Sequence, residues 1–327
     1  MANLPLTIAC GPYDRMNGIA DGRVQVEGID PTYVSIKSGP EIFARMIKNK
    51  EFDVSEMSAS TYMSARTRGG FPFIAIPVFP SKSFRHSFIF INKKSGIQKP
   101  ADLAGRRVGM MGYGQTASVW IRGMLQDDFG LDLRQVRWLE GGSDAPYNAG
   151  KNVTIPEGIK IEVIPDTMAM SDLLARGEID AMFGARHPAS FRKNPDVVRL
   201  FPNYREVERD YFRRTGIFPI MHTVVIREEL YERHRWIAAS LYKAFVEAKQ
   251  LADRDMRFSG AMRYALPWLA QDIDEIDELF SGDPFCYGVE PNRTSLSALA
   301  RYLQDQGFID RPIDVDALFA PIISDHS

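Results

Sequence analysis

The sequence predicts an α/β protein of two lobes connected by a double crossover. Two strand-like stretches carry this prediction, 83–91 and 220–226, because each places a histidine before a hydroxyl residue and continues with β-branched or aromatic residues. Two similar strands that leave and re-enter a compact segment are typical of a discontinuous two-lobed chain. The predicted boundaries assign residues 1–85 and 223–327 to one lobe and residues 86–222 to the other.

Strands and helices alternate along the first part of the chain, which favours largely parallel sheets. The apolar residues of 40–48 recur at helical spacing, and the glycines at 69 and 70 are suited to end a later helix. The predicted elements are, in order, strand 4–10, loop 11–15, helix 40–48, strand 51–56, a helix capped by Ser58 or Ser60, and strand 73–79.

The second lobe repeats the alternation. Strand 108–111 runs into a glycine-rich turn and then an amphipathic helix that Gly130 ends. A strand–turn–helix unit of this kind presents free backbone N–H groups to an anion, although its glycine spacing fits neither a Walker loop nor a dinucleotide motif. The remaining predicted elements are polar loop 141–158, strand 159–164, helix 168–176 closed by Gly177, and strand 178–183.

A helix-to-strand junction occurs once in each lobe. Residues 51–56 and 178–183 both follow a helix and a turn, and both read Glu, an apolar residue, Asp and a second apolar residue. After the return strand the sequence becomes helical, with one apolar stripe from Ile237 to Leu251 and another from Leu296 to Leu303 that Gly307 ends. These helices are predicted to pack on the first lobe.

The composition is that of an ordinary globular protein. The 327 residues are 45% hydrophobic and 25% charged, and the net charge of -2 gives no argument for nucleic acid or an anionic membrane as a partner. Cys10 and Cys286 have no paired spacing, so neither a disulfide framework nor a thiolate zinc site is indicated.

The first residues lead directly into a strand. They carry no basic region, long apolar run or cleavage site, so we expect no signal peptide and a cytoplasmic location. Because 18 uninterrupted apolar residues occur nowhere, no membrane span is predicted.

Four motifs give the chain a specific resemblance. They are Phe79-Pro-Ser-Lys-Ser-Phe-Arg-His86, Leu103-Ala-Gly-Arg-Arg-Val-Gly109, Thr116-Ala-Ser-Val-Trp-Ile-Arg-Gly123 and Thr215-Gly-Ile-Phe-Pro-Ile-Met-His222. The two-lobed chain looks like the type II periplasmic-binding-protein fold, and these motifs resemble the 4,5-dihydroxyphthalate decarboxylase family over nearly the whole length. The first and last motifs discriminate, because the second is shared with many transport binding proteins.

The resemblance implies a carboxy-lyase. Its substrate would be a small aromatic dicarboxylate, 4,5-dihydroxyphthalate, which loses one carboxylate without oxidation and gives protocatechuate and CO₂. This chemistry needs a proton donor at the ring carbon, a base or hydrogen-bond acceptor at the phenol, and cationic anchors for the carboxylates. We expect no cofactor, since the hydroxylated ring supplies its own electron density.

His86 and His222 are the leading candidates for acid and base, because the ordinary pKa of a histidine lies near neutrality. Both, with Arg85, are predicted to lie at the floor of a cleft between the lobes. Glu56 is a further catalytic candidate at a strand end. The alternative is that the histidines are buried and structural. A three-histidine metal site that adds His187 has no spacing signature, and no metal is predicted.

The candidate substrate-binding residues are hydroxyl, amide, imidazole and guanidinium groups near the predicted strand ends and helix starts. An arginine fork matches a carboxylate in a bidentate manner. For the serines the alternative is helix capping, and Gln115 and Thr116, which could hold an anion at a helix start, have the same alternative. The candidates are Arg85, Arg15, Ser58, Ser60, Gln115, Thr116, Arg186 and His187.

Two other functions remain open at this stage. A solute-binding protein would close on a small organic anion without chemistry, and a related decarboxylase or hydrolase would act on another aromatic acid. Fold alone does not separate them. The oligomeric state is also open, a homo-oligomer included.

Overall fold

The computed structural model describes residues 3–144 and 155–322. The chain forms two compact units. Unit 1 comprises the described parts of Met1–Lys82, Ile220–Ser297 and Ile313–Ser327, and unit 2 those of Ser83–Pro219 and Ala298–Pro312. The described residues of the predicted polar loop 141–158 belong to unit 2, and residues 145–154 of that loop lie outside the described residues.

Unit 1 is built on a five-stranded mixed sheet with the strand order β2-β1-β3-β11-β4. The first strand pairs in parallel with β2 and β3, whereas β11 runs antiparallel to both β3 and β4. Its strands are β1 (Leu4–Cys10), β2 (Ile29–Ser35), β3 (Val54–Ser58), β4 (Phe73–Lys82) and β11 (Ile220–Arg227).

Helices cover this sheet, and the apolar stripe that the sequence shows from Ile237 onward lies on the longest of them. Leu241 and Phe245 are fully buried in one core cluster with Ile8 and Val224 of the sheet. Burial of each such side chain contributes roughly 1.5–3 kcal/mol. The helices of unit 1 are α1 (Asn17–Ala20), α2 (Gly39–Asn49), α3 (Ala59–Arg68), α7 (Glu228–Arg233), α8 (Ile237–Arg257) and α9 (Leu269–Phe280).

Unit 2 contains a six-stranded mixed sheet with the order β10-β5-β9-β6-β7-β8. Its β6–β9, β6–β7 and β7–β8 pairs are parallel, while β5 is antiparallel to β9 and β10. The strands are β5 (Ile89–Asn92), β6 (Arg107–Met110), β7 (Arg137–Glu140), β8 (Ile161–Val163), β9 (Ala181–Phe183) and β10 (Val197–Arg199). The helices are α4 (Thr116–Phe129), α5 (Met170–Arg176), α6 (Tyr204–Thr215) and α10 (Arg293–Asp305), whose first residues belong to unit 1.

The prediction that the last helix packs entirely on the first lobe is wrong. Residues 298–312 belong to unit 2. The ring of Tyr302 lies so close to Gly123 that a Cβ there would stand 2.4 Å from it, and Gln306 Oε1 accepts a hydrogen bond from the buried Arg122 guanidinium at 2.9 Å. Gly123 in α4 thus leaves the space in which Tyr302 of α10 packs.

The prediction of one continuous strand over 83–91 is also wrong. Strand β4 ends at Lys82, and a 3₁₀ turn, His86–Phe88, precedes β5. The turn forms because the Phe88 N–H donates to the Arg85 carbonyl and the Ser87 N–H donates to the Glu208 carboxylate. These bonds take backbone donors that a strand would have used for pairing.

The predicted first strand, 4–10, is confirmed by β1, and the predicted helix at 40–48 by α2. Within the described part of the chain, no helix has both the length and the apolar character to cross a membrane.

Candidate functional site

The core face of the unit 1 sheet becomes polar at one end. Along β3 and β11 the side chains of Val54, Val224 and Ile226 point into the apolar core. Glu56 stands opposite Val224, and His222 stands opposite Ser58 in the antiparallel register. Because opposed residues share a face, the Glu56 and His222 side chains lie diagonally on that same face.

These two side chains form a direct pair. His222 Nδ1 lies 2.5 Å from Glu56 Oε1, and the side chains are 22% and 0% exposed. The carboxylate therefore fixes one ring nitrogen, and Nε2 is the nitrogen that remains for a ligand. The edge of the Phe43 ring contacts the imidazole, with 5.0 Å between ring centroids, and limits its rotation.

Three donors stabilise the buried Glu56 carboxylate. Besides His222, the Tyr13 hydroxyl donates to Oε1 at 2.6 Å and the Gly11 N–H donates to Oε2 at 2.8 Å. Burial by itself raises the pKa of Glu56, but the bonds from His222, Tyr13 and Gly11 outweigh it and hold that pKa below its ordinary value. Glu56 is consequently an anion at neutral pH.

Cys10 lies at the end of β1 beside this carboxylate. It is completely buried, and burial followed by the charge of Glu56 raises the pKa of its thiol well above the ordinary value. A protonated, inaccessible thiol is a poor nucleophile. The site therefore offers acid–base chemistry through an imidazole supported by a carboxylate, rather than attack by a thiolate.

Arg15 is near this site but is already engaged. Its Nε donates to the Pro80 carbonyl at 2.8 Å and its Nη1 pairs with Asp14 at 3.0 Å. The guanidinium is stacked between the rings of Tyr13 and Phe285, 4.4 Å from each centroid. These contacts favour a role in holding Tyr13, and its role as a carboxylate anchor stays a prediction.

Ser58 and Ser60 occupy the junction between β3 and α3. The Ser58 hydroxyl accepts from the Thr61 N–H at 3.5 Å and from the Thr61 hydroxyl at 3.1 Å, so it caps α3. Ser60 is 2% exposed and lies 3.3 Å from Ser58 Oγ. The contacts of Ser58 thus support the alternative interpretation, helix capping, and the substrate-binding role of Ser60 stays a prediction.

His86 is placed very differently from His222. It belongs to unit 2 and is 1% exposed, with its ring among those of Phe129, Phe201 and Tyr211. Neither ring nitrogen is accessible, and neither has a hydrogen-bond partner within the residues described. Burial lowers the pKa of His86 to about 4. A neutral, enclosed imidazole cannot exchange a proton with a ligand in this arrangement.

Arg85 is also buried in unit 2, at 6% exposure. Its guanidinium lies over the Phe88 ring at 4.9 Å, and burial lowers its pKa to about 10 although the charge of Glu208 opposes this. The prediction that it binds a substrate carboxylate stays a prediction.

The remaining candidates also lie in unit 2. Gln115 is the N-cap residue of α4 and its Oε1 is buried without a partner among the described residues, while Thr116 begins the helix and is 4% exposed. Arg186 and His187 are exposed, and His187 Nε2 lies 3.3 Å from Arg199 Nη2. Burial, then the charges of Arg199 and Arg192, lower the pKa of His187.

Tyr13 and Gly11 were not among the site residues predicted from the sequence. Both fall in the predicted loop 11–15 at the carboxyl end of the first strand, which is where parallel sheets bind ligands. Their position at this strand end, rather than their residue type, was the feature of the sequence that could have indicated them. Among the described residues, no group of three or more His, Cys, Asp or Glu side chains is placed to hold a metal ion.

Comparison with solved structures defines the class of fold. The periplasmic aliphatic sulphonate binding protein SsuA from Escherichia coli superposes with a TM-score of 0.57 over 98% of both chains, at 14% sequence identity. The family model described as the periplasmic substrate-binding protein of a phosphonate ABC transporter matches residues 28–148. The chain has the fold of the type II periplasmic binding proteins, as predicted.

Sequence comparison is more specific. The chain is 35% identical to a 4,5-dihydroxyphthalate decarboxylase from Comamonas testosteroni over 98% of both sequences. It is 38% identical to a 4,5-dihydroxyphthalate decarboxylase from Pseudomonas putida over 65% of this chain and 83% of that protein. The chain belongs to the 4,5-dihydroxyphthalate decarboxylase family.

Proposed function

We propose that this protein is a carboxy-lyase that converts 4,5-dihydroxyphthalate, or a close aromatic dicarboxylate, to protocatechuate and CO₂. Two decarboxylase relatives support the reaction class. The observation that carries the proposal within the molecule is the Glu56–His222 pair, in which a buried anion holds one nitrogen of a partly exposed imidazole.

The substrate supplies the electron density for this reaction. Its hydroxyl at carbon 4 is para to the carboxylate at carbon 1, so transfer of the phenolic proton to water makes carbon 1 basic, and the phenolate takes a proton back from water after CO₂ has left. In the proposed step, His222 Nε2 delivers a proton to carbon 1. The bond to the carboxylate carbon then breaks, its electron pair returns to the ring and CO₂ leaves. Glu56 offsets the positive charge of the imidazolium before transfer.

Purified protein incubated with 4,5-dihydroxyphthalate, without added cofactor, should release CO₂ and form protocatechuate. In D₂O the product should carry deuterium at the carbon that lost the carboxylate. Phthalate is the matched control substrate: without hydroxyls its ring cannot supply electrons to carbon 1, and it should be recovered intact.

A solute-binding function is the second candidate, because the match at residues 28–148 is to a periplasmic substrate-binding family. Tight binding of 4,5-dihydroxyphthalate with complete recovery of the unchanged compound would favour this function and contradict the first. The proposed cytoplasmic location would be checked by fractionation of the cells that produce the protein.

A further inference from the structure

Two donors meet on one oxygen of Glu56. The Tyr13 hydroxyl lies 2.6 Å from Oε1 and His222 Nδ1 lies 2.5 Å from the same atom, while the Gly11 N–H binds Oε2. Burial, followed by the negative charge of Glu56, raises the pKa of Tyr13 above its ordinary value. Tyr13 is therefore a protonated donor throughout the neutral range.

The surroundings of Tyr13 hold this hydroxyl in place. Gly11 has no side chain, and a Cβ there would lie 2.7 Å from the Tyr13 ring. The ring also packs against the apolar core of unit 1 and contacts the guanidinium of Arg15, which is itself bound to the Pro80 carbonyl and stacked on Phe285. Gly11 leaves room for the ring and the Arg15 guanidinium stacks on it, so these neighbours fix the position of the ring and of its hydroxyl.

We propose that Tyr13 is a positioning residue of the Glu56–His222 pair. Its hydroxyl restricts the Glu56 carboxylate to the orientation in which Oε1 receives His222 Nδ1, so that the imidazole keeps Nε2 for the substrate. This inference rests on the proposed function, since it assigns Tyr13 to the same reaction. Tyr13 acts through Glu56 and has no direct role in proton transfer.

The first test compares Tyr13→Phe with Tyr33→Phe. The Tyr33 hydroxyl, on the neighbouring strand β2, donates to the Gly11 carbonyl at 3.5 Å, so this control removes a hydroxyl that contacts the same loop but does not bind the carboxylate of Glu56. Tyr13→Phe should lower kcat about tenfold or more and leave KM unchanged, because a charge-assisted hydrogen bond is lost. Tyr33→Phe should retain kcat. Equal kcat in wild type and Tyr13→Phe would overturn the proposal.

A double-mutant cycle tests whether Tyr13 acts through Glu56. Glu56→Gln removes the charge that Tyr13 stabilises, so adding Tyr13→Phe to Glu56→Gln should lower kcat by much less than it does in the wild type. Full additivity of the two effects would contradict the proposed route. Gly11→Ala provides a variant that keeps the hydroxyl but displaces the ring, and it should reproduce the loss of kcat.

A spectroscopic measurement separates this inference from the proposed function. With ¹³C-labelled glutamate, the pKa of the Glu56 carboxyl should rise in Tyr13→Phe, because one of its three donors is gone. Burial raises the pKa of the neighbouring Cys10 and Tyr33, so these groups stay protonated across the titration. If the wild-type protein has no decarboxylase activity but Tyr13→Phe still raises the pKa of Glu56, only the proposed reaction is refuted. An active wild type with an unshifted Glu56 in Tyr13→Phe would refute only the positioning role.

Discussion

The surroundings of His222 and of His86 show how differently one short motif is used in the two units. Both histidines precede a hydroxyl residue, Thr223 in one case and Ser87 in the other. His222 lies on a strand, is partly exposed and has an anionic partner. His86 begins a 3₁₀ turn, is enclosed by aromatic rings and has no partner for either nitrogen in the described structure.

The difference lies in what the neighbouring strand provides. Next to β11 stands β3, which carries a glutamate on the same face as His222. His86 lies off any strand, and the rings around it come from the end of α4, from Phe201 and from α6. A histidine becomes an acid–base group when a charge partner and access to solvent coincide. Of these two, only His222 has both.

The largest expected effect separates the two histidines by activity. His222→Gln should lower turnover by about 10²–10⁴-fold, since Gln keeps hydrogen bonding but cannot exchange a proton near neutral pH. His86→Leu should keep turnover at the wild-type order of magnitude, because its ring nitrogens do not reach a ligand. Steady-state kinetics on both variants, with circular dichroism to verify folding, make the comparison.

The opposite result is equally informative. A large loss of turnover in folded His86→Leu, with near wild-type turnover in His222→Gln, would mean that the enclosed histidine is the working one. The assignment of the site to unit 1 would then be wrong.

The next effect concerns stability and pH. Burial lowers the pKa of His86 to about 4, whereas an unfolded chain has the ordinary histidine value of about 6.5. Between these values the unfolded state binds a proton that the native state does not, so native stability falls as pH decreases through this window. The contribution of His86 to this fall is up to about 3 kcal/mol, and it should be absent in His86→Leu.

Urea unfolding at pH 7 and at pH 4.5 measures this contribution. The matched control is His234→Leu, which removes a half-buried histidine outside the aromatic cluster. The charges that face His86 are Asp128, which raises its pKa, and Arg214, which lowers it. An equal loss of stability between the two pH values in wild type and His86→Leu would show that His86 titrates normally.

Local patterns in the sequence predict much of the fold. The strand at Leu4–Cys10 follows from its β-forming residues, and Gly130 and Gly177 end α4 and α5 in the left-handed conformation that glycine favours. The location of residues 298–312 in unit 2 was not predictable in this way. It depends on the space beside Gly123, and that contact joins residues far apart in the sequence.

The candidate site was predicted in part. Strand-end position pointed to Glu56, and the His-hydroxyl motif pointed to His222, but the same motif also selected His86. Which histidine meets a carboxylate depends on the register of β11 against β3, and sequence periodicity does not determine register between distant strands. Tyr13 was missed because a tyrosine in a loop carries no signal until its hydroxyl is seen to reach Glu56.

The smallest expected effect concerns Thr223, the hydroxyl residue that follows His222. Thr223 is 2% exposed, and its hydroxyl donates to the Ile76 carbonyl at 3.3 Å, on the neighbouring strand β4. Thr223→Val keeps the β-branched shape and removes this one bond, so it should lower the free energy of unfolding by about 1 kcal/mol and leave turnover unchanged. Thermal unfolding and kinetics on the same preparation measure both quantities. Lower turnover of Thr223→Val at unchanged stability would show instead that the hydroxyl beside His222 takes part in the reaction. His222 and Thr223 would then act together in catalysis.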